Sequence, residues 1–255
     1  MIGAIAGDII GSRFEGHAAP PEGFDLFHPA CRFTDDSVCT LAVADAIMHD
    51  TDFADTLRAF VRRHPDAGYG GMFLRWALSD DAPAYGSWGN GAPMRVAAVG
   101  WLAADRDECD RLAAAQARVS HDHPDAVTAA QAVAGAILAL RRGDAVAALR
   151  QDLTARCGYD LRPEVALRGG GFDVSAAGTV PAALAAAFET PNWEGAVRCA
   201  VGLGGDTDTL ACIAGGVAEA IHGVPEPVAA RTYAHLSDDL RDVFDRFARR
   251  RAPPA

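Results

Sequence analysis

The sequence predicts an all-α protein, a single bundle of about ten or more helices. Apolar residues recur at three- and four-residue spacing in one segment after another, as they do along a buried helix face. Alternating β-branched and aromatic residues, which are typical of strands, are scarce. Half of the 255 residues are hydrophobic and 22% are charged, so the chain can bury a sizeable core. This composition excludes a disordered chain and a disulfide-stapled miniprotein.

The first predicted helix covers residues 2–16, where Gly3, Gly7 and Gly11 form one stripe. The next two cover 36–49 and 52–64, the latter beginning at Asp52, a residue type that favours N-caps. Further helices are predicted over 92–104, 107–119, 125–142, 144–156, 192–201, 207–222, 225–236 and 238–249. Helix ends are marked by Gly143 and Gly223, and helix starts by Pro124, Pro163, Pro181, Pro191 and Pro225.

Two stretches, 14–33 and 68–91, are predicted to be long and irregular, and such segments are often functional in helical proteins. We found no linker, repeat or low-complexity block in the chain. Residues 1–250 are therefore predicted to form one domain, and residues 251–255 a tail.

The net charge of −11 argues against a surface built for sequence-independent binding of nucleic acid or anionic membranes. The six cysteines contain no CxxC pair, and most lie among apolar residues, as expected of small core residues in a reducing compartment. No apolar run reaches the ~18–20 residues of a membrane span, and no basic leader precedes residue 1. We therefore expect a soluble, cytoplasmic monomer with no membrane partner. Nucleic acid is not the expected partner, although a basic cleft on an acidic protein stays open as an alternative.

Two acidic clusters each open an apolar helix. The first is Thr34-Asp35-Asp36-Ser37, and the second is Gly204-Gly205-Asp206-Thr207-Asp208-Thr209. Helix capping is the simpler interpretation, but it accounts for only one acidic residue per helix. Four carboxylates brought together would repel one another, and a hard divalent cation such as Mg²⁺ or Mn²⁺ would relieve that repulsion.

Residues 86–95 form a glycine-rich segment, GSWGNGAPMR, ahead of a predicted helix. Free N–H groups at such a place favour an anion such as phosphate, and Trp88 or Tyr85 is positioned to stack on a base. An ordinary glycine-rich turn is the alternative. Residues 170–181 form a second glycine-flanked turn, with Phe172 as another stacking surface.

Polar residues stand out in two further segments. In Ser120-His121-Asp122-His123-Pro124, ligand contact by either histidine and capping by Asp122 both remain open, whereas histidines two apart fit zinc poorly. In the opening helix, Asp8 interrupts an apolar run and Glu15 falls near the end, where a carboxylate opposes the helix dipole. Glycines at four-residue spacing in that helix favour close helix–helix contact.

Taken in order, these motifs resemble the ADP-ribosylglycohydrolase family, which includes the dinitrogenase reductase-activating glycohydrolases. The resemblance rests on the GxxxGDxxG helix ending in Phe-Glu, on TDDS, on GNGxxMR, on a His-Pro step into a helix and on LGGDTDT. It covers residues 2–224. The chain departs from the usual pattern at Ala92-Pro93, and it is shorter than many relatives.

The resemblance implies an all-α bundle with a central cleft that holds two divalent cations, Mg²⁺ or Mn²⁺. The implied metal ligands are Thr34, Asp35, Asp36, Asp206, Asp208 and Thr209. The implied catalytic carboxylates, which would orient or deprotonate a water, are Asp35, Asp36 and Glu15. The implied substrate-binding residues are Ser87, Gly89, Asn90 and Gly91 at the diphosphate, His121 in preference to His123 at the ribose, and Trp88 at the adenine. Phe172, the stacking surface named above from the residues themselves, is added to the candidate substrate-binding set.

The implied reaction is hydrolysis of the glycosidic bond between ADP-ribose and an acceptor on a modified protein, with arginine or serine as the leading candidates. Two alternatives stay open. One is a dimetal hydrolase of a free ADP-ribose derivative, and the other is a non-catalytic ADP-ribose-binding or structural member. Two complete acidic clusters argue against the second.

Overall fold

The computed structural model describes residues 1–169 and 171–250, and the predicted tail at 251–255 lies outside them. The described residues form fourteen α-helices and a 3₁₀ turn (Ser12–Phe14), with no β-strand among them, so the all-α prediction is confirmed. The helices are α1 (Ile2–Gly11), α2 (Asp35–His49), α3 (Phe53–Arg63), α4 (Gly71–Leu78), α5 (Ala97–Leu102), α6 (Arg106–Arg118), α7 (Pro124–Arg141), α8 (Val146–Cys157), α9 (Pro163–Ala166), α10 (Ala176–Glu189), α11 (Trp193–Val201), α12 (Thr207–His222), α13 (Glu226–His235) and α14 (Asp238–Arg250).

The centre of the bundle is the packed pair α1 and α12. The glycine stripe of α1 lies directly against the backbone of α12: a Cβ on Gly3 would lie 2.4 Å from the carbonyl oxygen of Gly215, and a Cβ on Gly11 would lie 2.4 Å from that of Thr207. The helix–helix contact predicted from the stripe is thus confirmed. Because the two backbones touch, the polar residues at the ends of both helices are held close together.

The helix ends predicted from an N-cap residue, a first-turn proline and a C-terminal glycine were confirmed at α3, α7 and α12. Asp52 caps α3 by accepting a hydrogen bond from the N–H of Asp55 at 3.0 Å. Pro124 begins α7, and Gly223 follows α12 with φ of 71°. A positive φ carries no Cβ penalty in glycine, so the chain leaves the helix there without strain.

Four predicted boundaries were wrong. The opening helix, predicted over 2–16, ends at Gly11, and a 3₁₀ turn (Ser12–Phe14) follows it, so Glu15 lies outside the helix. Helix α4 lies inside the stretch 68–91 that was expected to be irregular. Helix α10 begins at Ala176, where Ser175 caps it, so Pro181 lies inside that helix rather than near its start. The helix predicted from residue 92 begins only at Ala97, because residues 90–95 form turns that direct Asn90 and Arg95 into the interior.

All six cysteines are unpaired, and four of them are buried, in agreement with the expected role as small core residues. Across residues 1–169 and 171–250, no helix combines the length and the hydropathy that crossing a bilayer requires.

Candidate active site and metal centre

A cavity of about 530 Å³ opens where α2, α4 and α12 meet the loop 86–91. This volume lies within the range of about 300–1,000 Å³ that is typical of small-molecule sites. Most of the site residues expected from the sequence line the cavity. They are Glu15, Asp35, Asp36, Ser87, Gly89, Asn90, Gly91, His121, Phe172, Asp206, Asp208 and Thr209.

The second acidic cluster is joined to Glu15 by backbone pairing. The N–H of Gly16 donates to the carbonyl of Gly205 at 2.8 Å, and the N–H of Gly205 donates to that of His17 at 3.1 Å. Gly205 has φ of 76°, and a Cβ there would lie 2.3 Å from the carbonyl oxygen of Gly171, so only glycine fits. Carboxylate oxygens of Glu15, Asp206 and Asp208 consequently lie within 4.8 Å of one another.

The first acidic cluster meets the second at the N-terminus of α2. The Thr209 hydroxyl donates a hydrogen bond to Asp36 Oδ2 at 3.3 Å. One carboxylate oxygen from each of Asp8, Asp36 and Asp208 lies within 4.8 Å of the other two. Asp35 is partly exposed to the cavity, while Asp36 is buried and its Oδ1 has no hydrogen-bond partner. The two clusters therefore form one continuous acidic wall.

Asp8 is the site residue that sequence reasoning missed. It is fully buried, and it accepts hydrogen bonds from the N–H groups of Thr34 (3.0 Å) and Ser37 (3.1 Å) and from both of their hydroxyls. These bonds attach the start of α2 to α1. The available signal was a single charge inside the apolar segment 2–11, because such a charge needs buried partners.

Helix capping accounts for little of either cluster. Thr34 caps α2 by accepting from the N–H of Asp36 at 3.3 Å, so neither Asp35 nor Asp36 is needed as a cap. Asp206 occupies the N-cap position of α12 but makes no capping bond, and its Oδ2 instead accepts from Asn90 Nδ2 at 2.6 Å. The side chains that capping leaves unexplained are the ones that line the cavity.

Burial raises the pKa of Asp8 and of every carboxylate in the acidic wall, and repulsion by neighbouring carboxylates adds to this at Asp35, Asp36 and Asp208. Burial raises the pKa of Asp8 to about 6, and burial together with Asp8 raises that of Asp35 to about 8. The pKa of Asp36 lies well above its usual range because of burial and then of Asp208. Burial, and then the charge of Asp206, likewise raises the pKa of Asp208 well above its usual range. The folded chain concentrates more negative charge here than the interior accommodates without a counter-ion.

The donor set fits a hard divalent cation. It consists of carboxylates and threonine hydroxyls, which Mg²⁺ and Mn²⁺ prefer, and it includes the unpartnered Oδ1 of Asp36. Thr34 differs from the other donors, since its hydroxyl already donates to Asp8 Oδ1 at 2.6 Å and it does not line the cavity.

In chelator, Asp36→Asn is expected to stabilise the protein at pH 8 and to have little effect at about pH 3.5. The folded pKa of Asp36 lies above the unfolded value, so its stabilising contribution is complete below about pH 4 and is lost as the pH rises through the folded pKa. Removing an uncompensated buried charge should add about 1–3 kcal/mol, or roughly 5 °C in Tm. Thermal unfolding of both proteins at the two pH values measures the difference.

The matched control is Asp66→Asn on the exposed surface, which should leave Tm unchanged at both pH values. Excess Mg²⁺ should reverse the order at pH 8, because the wild type then gains a bound cation that the variant holds weakly. A variant that is less stable than the wild type at pH 8 in chelator would contradict the assignment of repulsion to this site.

The glycine-rich loop 86–91 is attached to the second acidic cluster through Asn90. The amide of this residue donates to Asp206 and to Thr179 Oγ1 (3.1 Å), and its N–H donates to the carbonyl of Val174 at 2.8 Å. The Asn90 side chain is thus occupied within the protein. Ser87, Gly89 and Gly91 are the other residues of the loop that line the cavity.

The structure distinguishes the two histidines that the sequence left open. His121 is buried and lines the cavity, and a Cβ on Gly91 would lie 2.7 Å from its Nε2. His123 is the N-cap of α7, where it accepts from the N–H of Asp125 at 3.2 Å. Its side chain is 41% exposed and is not among the described residues that line the cavity.

Exposed apolar side chains lie at the cavity mouth. Phe172 and Met72 are each 57% exposed and both line the cavity, as does Tyr85 deeper inside. Trp88, at 53% exposure, is not among the described lining residues. An apolar surface of this kind next to a polar pocket is typical of a ligand site rather than of ordinary protein surface.

Comparisons with known proteins agree with this geometry. The model of the ADP-ribosylglycohydrolase family matches residues 1–254. A search of curated proteins finds no matching relative. Among solved structures, an ADP-ribosylglycohydrolase-related protein complex is similar over 98% of this chain and 96% of its own, with a TM-score of 0.76 and 24% identity, a level that shows the fold alone. With the family model covering nearly its whole length, the chain belongs to the ADP-ribosylglycohydrolase family.

Proposed function

We propose that this protein hydrolyses the glycosidic bond that joins ADP-ribose to an acceptor side chain, with ADP-ribosyl-arginine and ADP-ribosyl-serine as the leading substrates. The observation that carries the proposal is the acidic wall formed by Asp35, Asp36, Asp206 and Asp208 in the same cavity as the loop 86–91. A cation site for ribose hydroxyls and a glycine-rich site for a diphosphate are the two parts that such a substrate requires.

Two divalent cations, Mg²⁺ or Mn²⁺, would be held by Thr34, Asp35 and Asp36 on one side and by Asp206, Asp208 and Thr209 on the other. When bound, they would neutralise the carboxylates, fix the distal ribose and lower the pKa of a water. Thr34 has the weakest claim, because its hydroxyl is bound to Asp8.

The carboxylates of this chain would perform the remaining chemistry. The bond from C1″ of the distal ribose to the acceptor breaks, and its electron pair leaves with the acceptor, giving an oxocarbenium-like transition state. A carboxylate takes one proton from the attacking water as the water oxygen bonds to C1″, and this proton is then passed to the acceptor, which leaves with the electron pair of the broken bond. Asp35, Asp36 and Glu15 are the candidates for the base, since all three line the cavity and have raised pKa values, caused first by burial.

The loop 86–91 would bind the diphosphate, which is remote from the bond that breaks. His121, expected at the ribose from the resemblance, is proposed at the diphosphate instead, because its Nε2 lies against Gly91 of that loop. Binding energy from a remote group aligns the reacting centre and so contributes to turnover as well as to affinity. The protein partner would be the ADP-ribosylated protein itself, met by the chain as a monomer.

The experiment that tests this function is release of free ADP-ribose, measured by mass spectrometry on a panel of ADP-ribosyl-arginine and ADP-ribosyl-serine peptides. Reactions would contain Mg²⁺, Mn²⁺ or chelator. The proposal predicts release that depends on the cation and favours one acceptor. Tight ADP-ribose binding without release would favour the non-catalytic alternative, and release that persists in chelator would contradict the metal assignment.

Phe172→Ala is expected to weaken ADP-ribose binding by roughly five- to a hundredfold, the scale of losing one base–aromatic stack. Trp88→Ala should have a smaller effect, because Trp88 does not line the cavity. Leu78→Ala serves as the matched control, since it removes an equally exposed apolar side chain outside the cavity. Isothermal titration with ADP-ribose measures all three, and a larger loss for Trp88 than for Phe172 would reverse the assignment of the stacking surface.

A further inference from the structure

His121 has one ring edge toward the cavity and the other toward the protein interior. Its Nε2 lies against Gly91, and only the missing Cβ of that residue leaves room for the ring. Its Nδ1 lies 2.8 Å from the hydroxyl oxygen of Ser120, which is fully buried. The position of the ring proton therefore decides whether His121 Nε2 is a hydrogen-bond donor or an acceptor on the cavity side.

Behind Ser120 lies a fixed guanidinium. Arg95 is fully buried, and its Nη2 donates to Ser120 Oγ at 3.0 Å and to the carbonyl of Gln116 at 2.7 Å. Its Nε donates to Gln116 Oε1 at 2.7 Å. The Gln116 amide is itself held, since it donates to the carbonyls of Ala92 (3.2 Å) and Ala113 (3.1 Å). Arg95 therefore cannot turn away from Ser120 without breaking a buried network.

The donors and acceptors of this network determine the tautomer. A guanidinium has only donors, so the Ser120 oxygen accepts from Arg95. The hydroxyl hydrogen of Ser120 then needs an acceptor, and His121 Nδ1 is the one its geometry provides among the described residues. Nδ1 must therefore carry a lone pair, which leaves the ring proton on Nε2. The same cation opposes a second ring proton: burial and then Arg95 lower the pKa of His121 well below its usual range.

We propose that Arg95 and Ser120 are positioning residues that hold His121 as a neutral Nε2–H donor, directed past Gly91 toward an oxygen of the substrate diphosphate. The ligand in this assignment rests on the proposed function, whereas the tautomer does not. The arrangement gives the cavity a fixed donor that needs no protonation event, so the binding of the anion would not depend on pH near neutrality.

The test begins with the free protein. In ¹⁵N-labelled protein at pH 7, long-range ¹H–¹⁵N spectra report the state of both His121 nitrogens, which His121→Asn assigns by loss of signal. We expect a protonated Nε2 and a hydrogen-bonded, unprotonated Nδ1. In Ser120→Ala, Nδ1 should move to the position of an unbonded ring nitrogen. A proton on Nδ1 of the wild-type ring would overturn the inference.

ADP-ribose titration provides the second readout. Ser120→Ala should weaken binding about tenfold, as expected when a donor to a charged group loses its orientation. Ser120→Thr, which keeps the hydroxyl, should restore both affinity and the Nδ1 resonance. Ser237→Ala is the matched control, since Ser237 is a half-buried, hydrogen-bonded serine outside the described lining of the cavity. Unfolding curves confirm that each variant is folded. An Nδ1 resonance and an affinity that both stay unchanged in Ser120→Ala would refute the positioning role. If the wild type fails to bind ADP-ribose, the proposed function fails, while the spectra still decide the tautomer.

Discussion

Asp206→Ala is expected to abolish turnover, a fall of at least about 1,000-fold, while the protein remains folded. Carboxylate oxygens of Asp206, Glu15 and Asp208 lie within 4.8 Å of one another. The Asp206 carboxylate also accepts a hydrogen bond from the side-chain amide of Asn90. Its removal takes one ligand from the proposed metal centre and releases the loop 86–91. The measurement is ADP-ribose release at saturating Mg²⁺ or Mn²⁺, together with thermal unfolding.

Stability should change little in this variant, because two effects oppose each other. The Asn90 amide loses its acceptor, which costs about 1–3 kcal/mol, and the acidic wall loses one repelling charge. Asp52→Ala is the matched control, since it removes a true helix cap far from the cavity and should cost about 1 kcal/mol without loss of turnover. Undiminished turnover in Asp206→Ala would refute the proposed metal centre.

Gly7→Ala is expected to destabilise the fold by about 3 kcal/mol or more, which lowers Tm by roughly 10 °C or prevents folding. A Cβ at this position would lie 1.9 Å from the carbonyl oxygen of Ala211, an atom of the α12 backbone that cannot rotate away. The two central helices would have to separate, and Asp8, one residue further along, would move from Thr34 and Ser37. Denaturant unfolding measures the loss.

The matched control is Gly135→Ala, a glycine inside α7. A Cβ there would meet only the end of the Arg106 side chain, which is flexible, and alanine favours the helix. Its stability should stay within about 1 kcal/mol of the wild type. If Gly7→Ala proves equally neutral, the close approach of α1 and α12 is wrong.

The sequence by itself determined the helical class, because apolar spacing along one face is a local property of the chain. The sequence also identified the four aspartates of the two acidic clusters. Asp35, Asp36, Asp206 and Asp208 lie at the N-termini of helices, and the starts of these helices can be recognised from neighbouring residues. Caps such as Asp52 were found for the same reason: the donor and the acceptor lie three residues apart.

Only the tertiary structure decided which of these residues meet. Asp8 finds its partners 26 and 29 residues away, Asn90 reaches Asp206 across 116 residues, and Asp36 meets Thr209 across 173. No local pattern encodes such pairings, because they depend on how the glycine stripe of α1 lets α12 approach. Packing likewise placed His121 at the cavity and His123 at a helix cap, although the two stand two residues apart in the sequence. Local sequence thus identifies the acidic residues and the helices that carry them. The close packing of α1 and α12 brings these residues together in one site.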